Sequence, residues 1–171
     1  MRDGAELLVE ELRPPLPTDD VDAIVSLVTR SLSEPYLANL LRGKWLDRAD
    51  VAVIRGRIDQ RLVGTAWVGW GRRLPDIGVM GGVATQRECQ RRGIAGILVR
   101  RAIETFDREA GRMLFLATTS PYARKIYERL GFSAVVGNLL CRFTRGARLR
   151  EGFAPGQPVN ARAADFGDAG A

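Results

Sequence analysis

Histidine is absent from the 171 residues. That excludes an imidazole base, a Ser-His-Asp triad and any His-ligated metal, so proton transfer falls to carboxylate, tyrosine, cysteine or water. Cysteine is scarce: Cys89 and Cys141 stand 52 positions apart with no second thiol near either. Zinc-ligand spacing and a disulfide framework are therefore excluded, and a reducing compartment is expected. No run of about 18 apolar residues occurs, and Met1 to Glu6 holds no apolar signal core, so a cytoplasmic protein without a membrane partner is expected. Lysine is reduced to Lys44 and Lys125. The rest of the 26 basic residues are arginine, against 20 acids, for a net charge of +6. Arginine's planar fork of donors suits phosphate.

What is present is one domain's worth of core. The chain is 46% apolar, and at this length it can bury roughly 70% of its unfolded surface without disulfides or metal. Glu6 to Leu12 reads as a first strand, stopped by Pro14, Pro15 and Pro17. Asp19, Asp20 and Asp22 make an acidic first turn for a helix whose face is Val21, Ile24, Val25, Val28 and Leu32. After Ser33-Glu34-Pro35, Leu37, Leu40, Leu41 and Trp45 predict a second, shorter helix.

Three strands are expected next, Val51 to Arg55, Leu62 to Trp70 and Ile77 to Thr85. The third carries Gly78, Gly81 and Gly82, which suggest a bulge or a close backbone approach. Leu98, Val99, Ala102, Ile103, Phe106 and Ala110 then mark a helix from Gly93 to Ala110, followed by a strand from Met113 to Ala117. Ser120-Pro121 caps a last helix that Gly131 terminates. Phe132 to Val136 and Leu139 to Phe143 complete the strands. The expected fold class is α/β, with a folded domain over 1–145 and a basic, then Gly/Ala/Pro-rich and flexible tail over 146–171.

The stretch Gly82-Val83-Ala84-Thr85-Gln86-Arg87-Glu88-Cys89-Gln90-Arg91-Arg92-Gly93-Ile94-Ala95-Gly96 joins a strand to a helix through a basic turn. Such a junction points unpaired amides outward at the positive end of the helix dipole, and a pyrophosphate is its natural guest. It lacks the Gly-Lys-Ser/Thr of a P-loop and the leading glycine pair of a dinucleotide fingerprint. Gln90-Arg91-Arg92-Gly93-Ile94-Ala95 resembles instead the Gln/Arg-x-x-Gly-x-Gly/Ala signature of the GNAT superfamily of acyl-CoA-dependent N-acetyltransferases. A second segment, Ala123 to Phe132, is similar to that family's Ala-x-x-x-Tyr-x-x-x-Gly-Phe pattern, and the order β-α-α-β-β-β-α-β-α-β-β agrees over Glu6 to Phe143.

The resemblance implies a mixed, mostly antiparallel sheet of about seven strands flanked by four helices, splayed between the fourth and fifth strands. It implies coenzyme A in the splay: the main chain of Val83, Ala84 and Thr85 on the pantetheine arm, and Gln90, Arg91, Arg92, Gly93, Ile94, Ala95 and Gly96 around the pyrophosphate. Ser120 stands where many members have a cofactor-orienting asparagine, and Arg87 where proline is common. Arg87 is either a phosphate ligand or a solvated loop charge. Tyr127 matches the usual general acid; read from spacing alone it is a core aromatic.

The general base stays open among Glu34, Asp76, Glu88 and a relayed water. Cys89 sits beside positive charge, yet a small loop thiol is usually inert. Strand alternation sends Trp67 and Trp70 to opposite sheet faces. The function implied is transfer of an acetyl group from acetyl-CoA to a small primary amine, without metal. The alternative is a non-catalytic acyl-CoA sensor or partner domain. A homodimer is compatible with either. The pI of about 10.1 and the arginine pairs at 72/73, 91/92 and 100/101 would suit nucleic acid, but no nucleic-acid motif accompanies them.

Overall fold

The computed structural model describes residues 6–32, 34–109 and 111–144. The tail expected over 146–171 lies outside the described residues, as does Ala110. The elements run β1 (Leu8–Leu12), α1 (Thr18–Thr29), α2 (Leu37–Leu41), β2 (Ala49–Ile58), β3 (Arg61–Gly71), β4 (Ile77–Thr85), α3 (Ile94–Glu109), β5 (Met113–Ala117), α4 (Pro121–Arg129), β6 (Ser133–Val136) and β7 (Leu139–Phe143). Seven strands form one sheet in the order β1-β2-β3-β4-β5-β7-β6. Among the described strands only β4 and β5 pair in parallel, across the α3 crossover, and the other neighbours are antiparallel. This is the mixed α/β architecture expected, with four helices on the sheet.

Each face of the sheet has its own core. On one, α3 lays Leu98, Val99, Ala102, Ile103 and Phe106 onto Ile54, Ala66, Trp70, Met80, Leu114 and Leu140, with Tyr127 and Phe132 completing the cluster. On the other, Val21, Ile24, Leu27 and Val28 of α1 and the leucines of α2 cover Val51, Val53, Trp67 and Ala84. Trp67 and Trp70 do fall on opposite faces, and both are buried. The buried face of α1 uses Leu27 rather than Leu32, which lies past the helix end and is 39% exposed.

Two glycines of β4 exist to admit aromatic rings. A Cβ on Gly78 would meet Phe106 Cε2 at 2.5 Å, and one on Gly81 would meet Trp67 Cζ2 at 2.7 Å. Arginine staples bind the layers at the rim. Arg142 donates to both oxygens of Asp107 at 3.0 Å, tying β7 to α3. Glu11 of β1 accepts the Thr105 hydroxyl at 2.7 Å and pairs with Arg108 and Arg13.

Candidate active site

The parallel pairing of β4 with β5 lasts for three rungs, Ile77 with Met113, Gly78 with Leu114 and Val79 with Phe115. Beyond Val79 the strands part. From there β4 keeps only β3 and β5 keeps only β7, so a V-shaped gap opens toward the C-terminal end of β4. The register between β3 and β4 slips at this point: Thr65 faces Ala84 and Trp67 faces Gly81, leaving Gly82 and Val83 as a bulge. Gly82 takes φ +58°, a left-handed value that favours glycine. The Gln86 amide bonds the Val63 carbonyl of β3 at 2.8 Å. By strand alternation the main-chain groups of Thr85 and Val83 turn the other way, into the gap.

The chain then turns sharply through Arg87–Cys89 and enters α3. Arg91 (φ +61°) and Gly93 (φ +81°) are left-handed, and a Cβ on Gly93 would meet nothing within 4 Å. The Gly93 carbonyl accepts the first helical bond, from the Ile97 amide at 3.2 Å. Among the described residues none of the amides from Arg91 to Gly96 donates to a backbone or side-chain acceptor. Alternating left-handed residues that leave consecutive amides free form a nest, and here it sits at the positive end of a sixteen-residue helix. The Thr85 hydroxyl is a second open group, buried with no hydrogen-bond partner.

Glu34 lies at the throat of the gap. Its Oε1 accepts the amide of the bulge residue Gly82 at 2.8 Å, and its Oε2 accepts the Trp67 indole N–H at 3.1 Å. Tyr36 meets Trp67 edge to face at 6.3 Å. The carboxylate also lines a groove of about 380 Å³ with Thr29, Ser31, Leu32 and Pro35. Tyr127 comes from the opposite layer. It is 6% exposed and packs against Phe132 at 5.9 Å. Burial, and after it the negative charge of Glu34, push its phenol up to about 12. The two residues therefore sense each other across the plane of the sheet.

The other expected site residues are spread more widely. Asp76 is exposed at the closed end of the gap, where its main-chain carbonyl accepts the Arg112 and Met113 amides. Glu88 is exposed in the turn before α3, and Cys89 is half-buried against the α3 core. Ser120 caps α4, its hydroxyl accepting the Ala123 amide at 3.3 Å. The lock of Glu34 onto Trp67 and Gly82 escaped sequence reasoning, because its partners stand 33 and 48 positions away. A carboxylate between two helices, 48 residues before a glycine pair, gives no local signal.

A family model, the acetyltransferase (GNAT) family, matches residues 8–132. The chain belongs to the GNAT family of acetyltransferases. Solved structures resemble this GNAT chain in fold. The ribosomal-protein-S18-alanine N-acetyltransferase from Escherichia coli is 16% identical, with 84% of this chain and 98% of that one covered and a TM-score of 0.64. The NatC complex bound to Gag peptide and CoA is 21% identical, with 81% and 99% covered and a TM-score of 0.64. N-acetylglutamate synthase from Neisseria gonorrhoeae, complexed with coenzyme A and L-arginine, is 18% identical over 82% of this chain and 34% of that one, with a TM-score of 0.61. No curated protein matches this GNAT chain. Among its described residues, no group of three His, Cys, Asp or Glu side chains could hold a metal ion, and no helix is long and apolar enough to cross a membrane.

Proposed function

We propose that the protein is an N-acyltransferase, moving an acetyl group from acetyl-CoA to the primary amine of a small molecule by direct attack in a ternary complex. The observation that carries this reading is the gap between β4 and β5, which runs from a nest of six open amides at its mouth to Glu34 and Tyr127 at its throat. The open amides and the unpartnered Thr85 hydroxyl fit coenzyme A, whose diphosphate and amide-rich arm require donors in that order. Bound there, acetyl-CoA supplies the acyl group already activated as a thioester.

In this reading the amides from Arg91 to Gly96 hold the diphosphate, with Gln90, Arg91 and Arg92 adding donors and charge. The main chain of Val83 and Thr85, on either side of Ala84, offers its groups to the pantetheine arm. The Gly82 amide is already taken by Glu34, so the Val83 amide is the donor aimed at the developing oxyanion, a stabilisation of roughly 3 to 4 kcal/mol for one such donor. Tyr127 donates to the departing sulfur.

Glu34 is the base we favour over Asp76 and Glu88, directly or through one water. It adjoins the 380 Å³ groove and Tyr127, whereas the other two are exposed at the ends of β4. A carboxylate has about four acceptor positions, so two hydrogen bonds leave room for an ammonium proton. The groove's size suits a small amine. The test is thiol release from acetyl-CoA over an amine panel, run beside calorimetric titration with coenzyme A. Binding with turnover is expected; binding without turnover on any amine leaves an acyl-CoA sensor, and no binding removes both.

A further inference from the structure

The groove of about 380 Å³ beside Glu34 is sparing in charge. Thr29, Ser31, Leu32, Glu34 and Pro35 line it, and among the described residues Glu34 is the one charged side chain in that lining. The Thr29 hydroxyl already donates to the Val25 carbonyl at 2.8 Å, inside α1. Arg30, the nearest base in sequence, is engaged elsewhere: its Nη1 donates to Gln86 Oε1 at 3.4 Å, just past β4, and it takes no part in the lining. What the groove offers instead is apolar surface. The Leu32 amide bonds the Val28 carbonyl at 2.9 Å, which holds Leu32 past the end of α1 with its side chain exposed rather than in the core. Two residues beyond Glu34, Tyr36 is 40% exposed although its ring is set against Trp67 edge to face at 6.3 Å. Burial, and after it the charge of Glu34, raise the Tyr36 phenol, so the ring stands within reach of that carboxylate. Leu32, Pro35 and Tyr36 thus flank a single carboxylate with exposed apolar area, the kind of patch that marks a binding site.

We propose that the acceptor is a primary amine bearing one positive charge on an apolar alkyl or aryl body. The inference rests on the transferase reading above and narrows its acceptor. Charge complementarity separates the amine classes. An amino acid brings a carboxylate, which would enter a groove with no cation in its described lining and would face Glu34. A polyamine or an aminoglycoside brings further ammonium groups, and a second ammonium drawn out of water without an acid of its own is disfavoured. A monoamine is matched: its ammonium pairs with Glu34, and its body covers Leu32, Pro35 and Tyr36. That body is remote from the reacting nitrogen and binds alike in ground and transition states, so its benefit falls on KM rather than kcat.

The test is the rate of thiol release from acetyl-CoA with propylamine, hexylamine, hexamethylenediamine, ε-aminocaproate and a tripeptide with a free N-terminus. It is run on the wild type and on Leu32→Ser, Leu32→Glu and Leu74→Ser. Hexylamine, the diamine and aminocaproate carry the reacting amine on the same six-carbon chain, so they differ in the charge at its far end. Leu74 is an exposed leucine in the β3–β4 connection, outside the groove. Each methylene taken wholly or half out of water is worth about two- to fourfold, so wild-type kcat/KM should rise about 10- to 60-fold from propylamine to hexylamine. The diamine and aminocaproate should lie about tenfold or more below hexylamine. Leu32→Ser should shrink the hexylamine-to-propylamine ratio about three- to tenfold through KM, whereas Leu74→Ser should leave that ratio unchanged. Leu32→Glu supplies a second acid and should bring the diamine above hexylamine. A flat alkyl series overturns the proposal and leaves the transferase reading standing. So does the diamine, aminocaproate or the tripeptide as the best wild-type substrate, or an equal effect of Leu32→Ser and Leu74→Ser. Turnover of no amine, with coenzyme A still bound in calorimetry, overturns the proposal and the transferase reading together.

Discussion

Replacing Tyr127 with phenylalanine separates hydrogen bonding from proton transfer at the leaving sulfur. Burial and the charge of Glu34 raise the phenol to about 12, whereas a free thiol ionises near 8.5. Complete transfer of the phenolic proton to a thiolate is then uphill by about 3.5 units, or about 5 kcal/mol. The phenol keeps its proton and stabilises the departing sulfur as a donor to an anion, a contact worth about 1.5 to 3 kcal/mol. The expected loss in kcat is therefore about 10- to 150-fold. Phenylalanine preserves the ring that packs against Phe132, so the thermal midpoint and the dissociation constant of coenzyme A should stay near wild type. Turnover is read from thiol release and binding by calorimetry. A loss beyond about a thousandfold would show full general-acid catalysis, and no loss would make Tyr127 a core residue; either result refutes the reasoning. The alkaline limb of the wild-type pH profile should likewise owe nothing to Tyr127 below about pH 11.

Glu34→Gln should destabilise the fold by about 1 to 3 kcal/mol, because the Gly82 amide and the Trp67 indole donate to different oxygens and one of these becomes an NH2 donor. It should also lower the alkaline absorbance midpoint of Tyr127; an unchanged midpoint would remove the coupling across the gap. Gly82→Ala should cost about 2 to 5 kcal/mol in urea unfolding, from its left-handed φ and a Cβ 2.6 Å from Trp67 Cδ1. Gly93→Ala meets nothing, so only about 1 to 2 kcal/mol of backbone strain is expected, together with weaker coenzyme A binding; equal losses for the two would sink the distinction. Burial raises the Glu11 pKa, but the Thr105 hydroxyl, Arg13 and Arg108 outweigh it and hold the carboxyl below 4.5. Its contribution to stability is thus complete above that value and lost as pH falls below it. Glu11→Gln should flatten the fall of the unfolding midpoint in that acid range, and an unaltered slope would refute the assignment.

Local punctuation made some elements legible in the sequence. Ser120-Pro121 and Gly131 bracket α4, and the strand expected over Ile77 to Thr85 emerges with those bounds as β4. β2 is longer than the expected Val51 to Arg55 because pairing with β3 carries it through Gly56 to Ile58, where little in the sequence alternates. The turn of open amides before α3 was legible for a related reason: it is main-chain geometry at one strand–turn–helix junction. The preference for Glu34 in the proposed mechanism was not. Asp76, Glu88 and Glu34 look alike in sequence, and only tertiary packing separates a carboxylate locked beside the bulge from two exposed ones.

The same packing explains why the gap falls where it does. A parallel pair needs a crossover, and α3 supplies it by covering both β4 and β5 with one apolar face. At the closed end, Phe106 presses against the bare backbone of Gly78, and the three rungs of pairing lie there. Toward the open end, β4 is bent by the bulge at Gly82 and drawn onto the α1 layer through Glu34, while β5 stays registered with β7. A strand edge inside a protein is costly when its amides and carbonyls have no partner. An extended, amide-bearing arm satisfies such an edge as an added strand would. Glu34 therefore ties the bulge of β4 to the α1 layer, and in the proposed reading the same carboxylate stands where the separated strands would expose the reacting end of that arm.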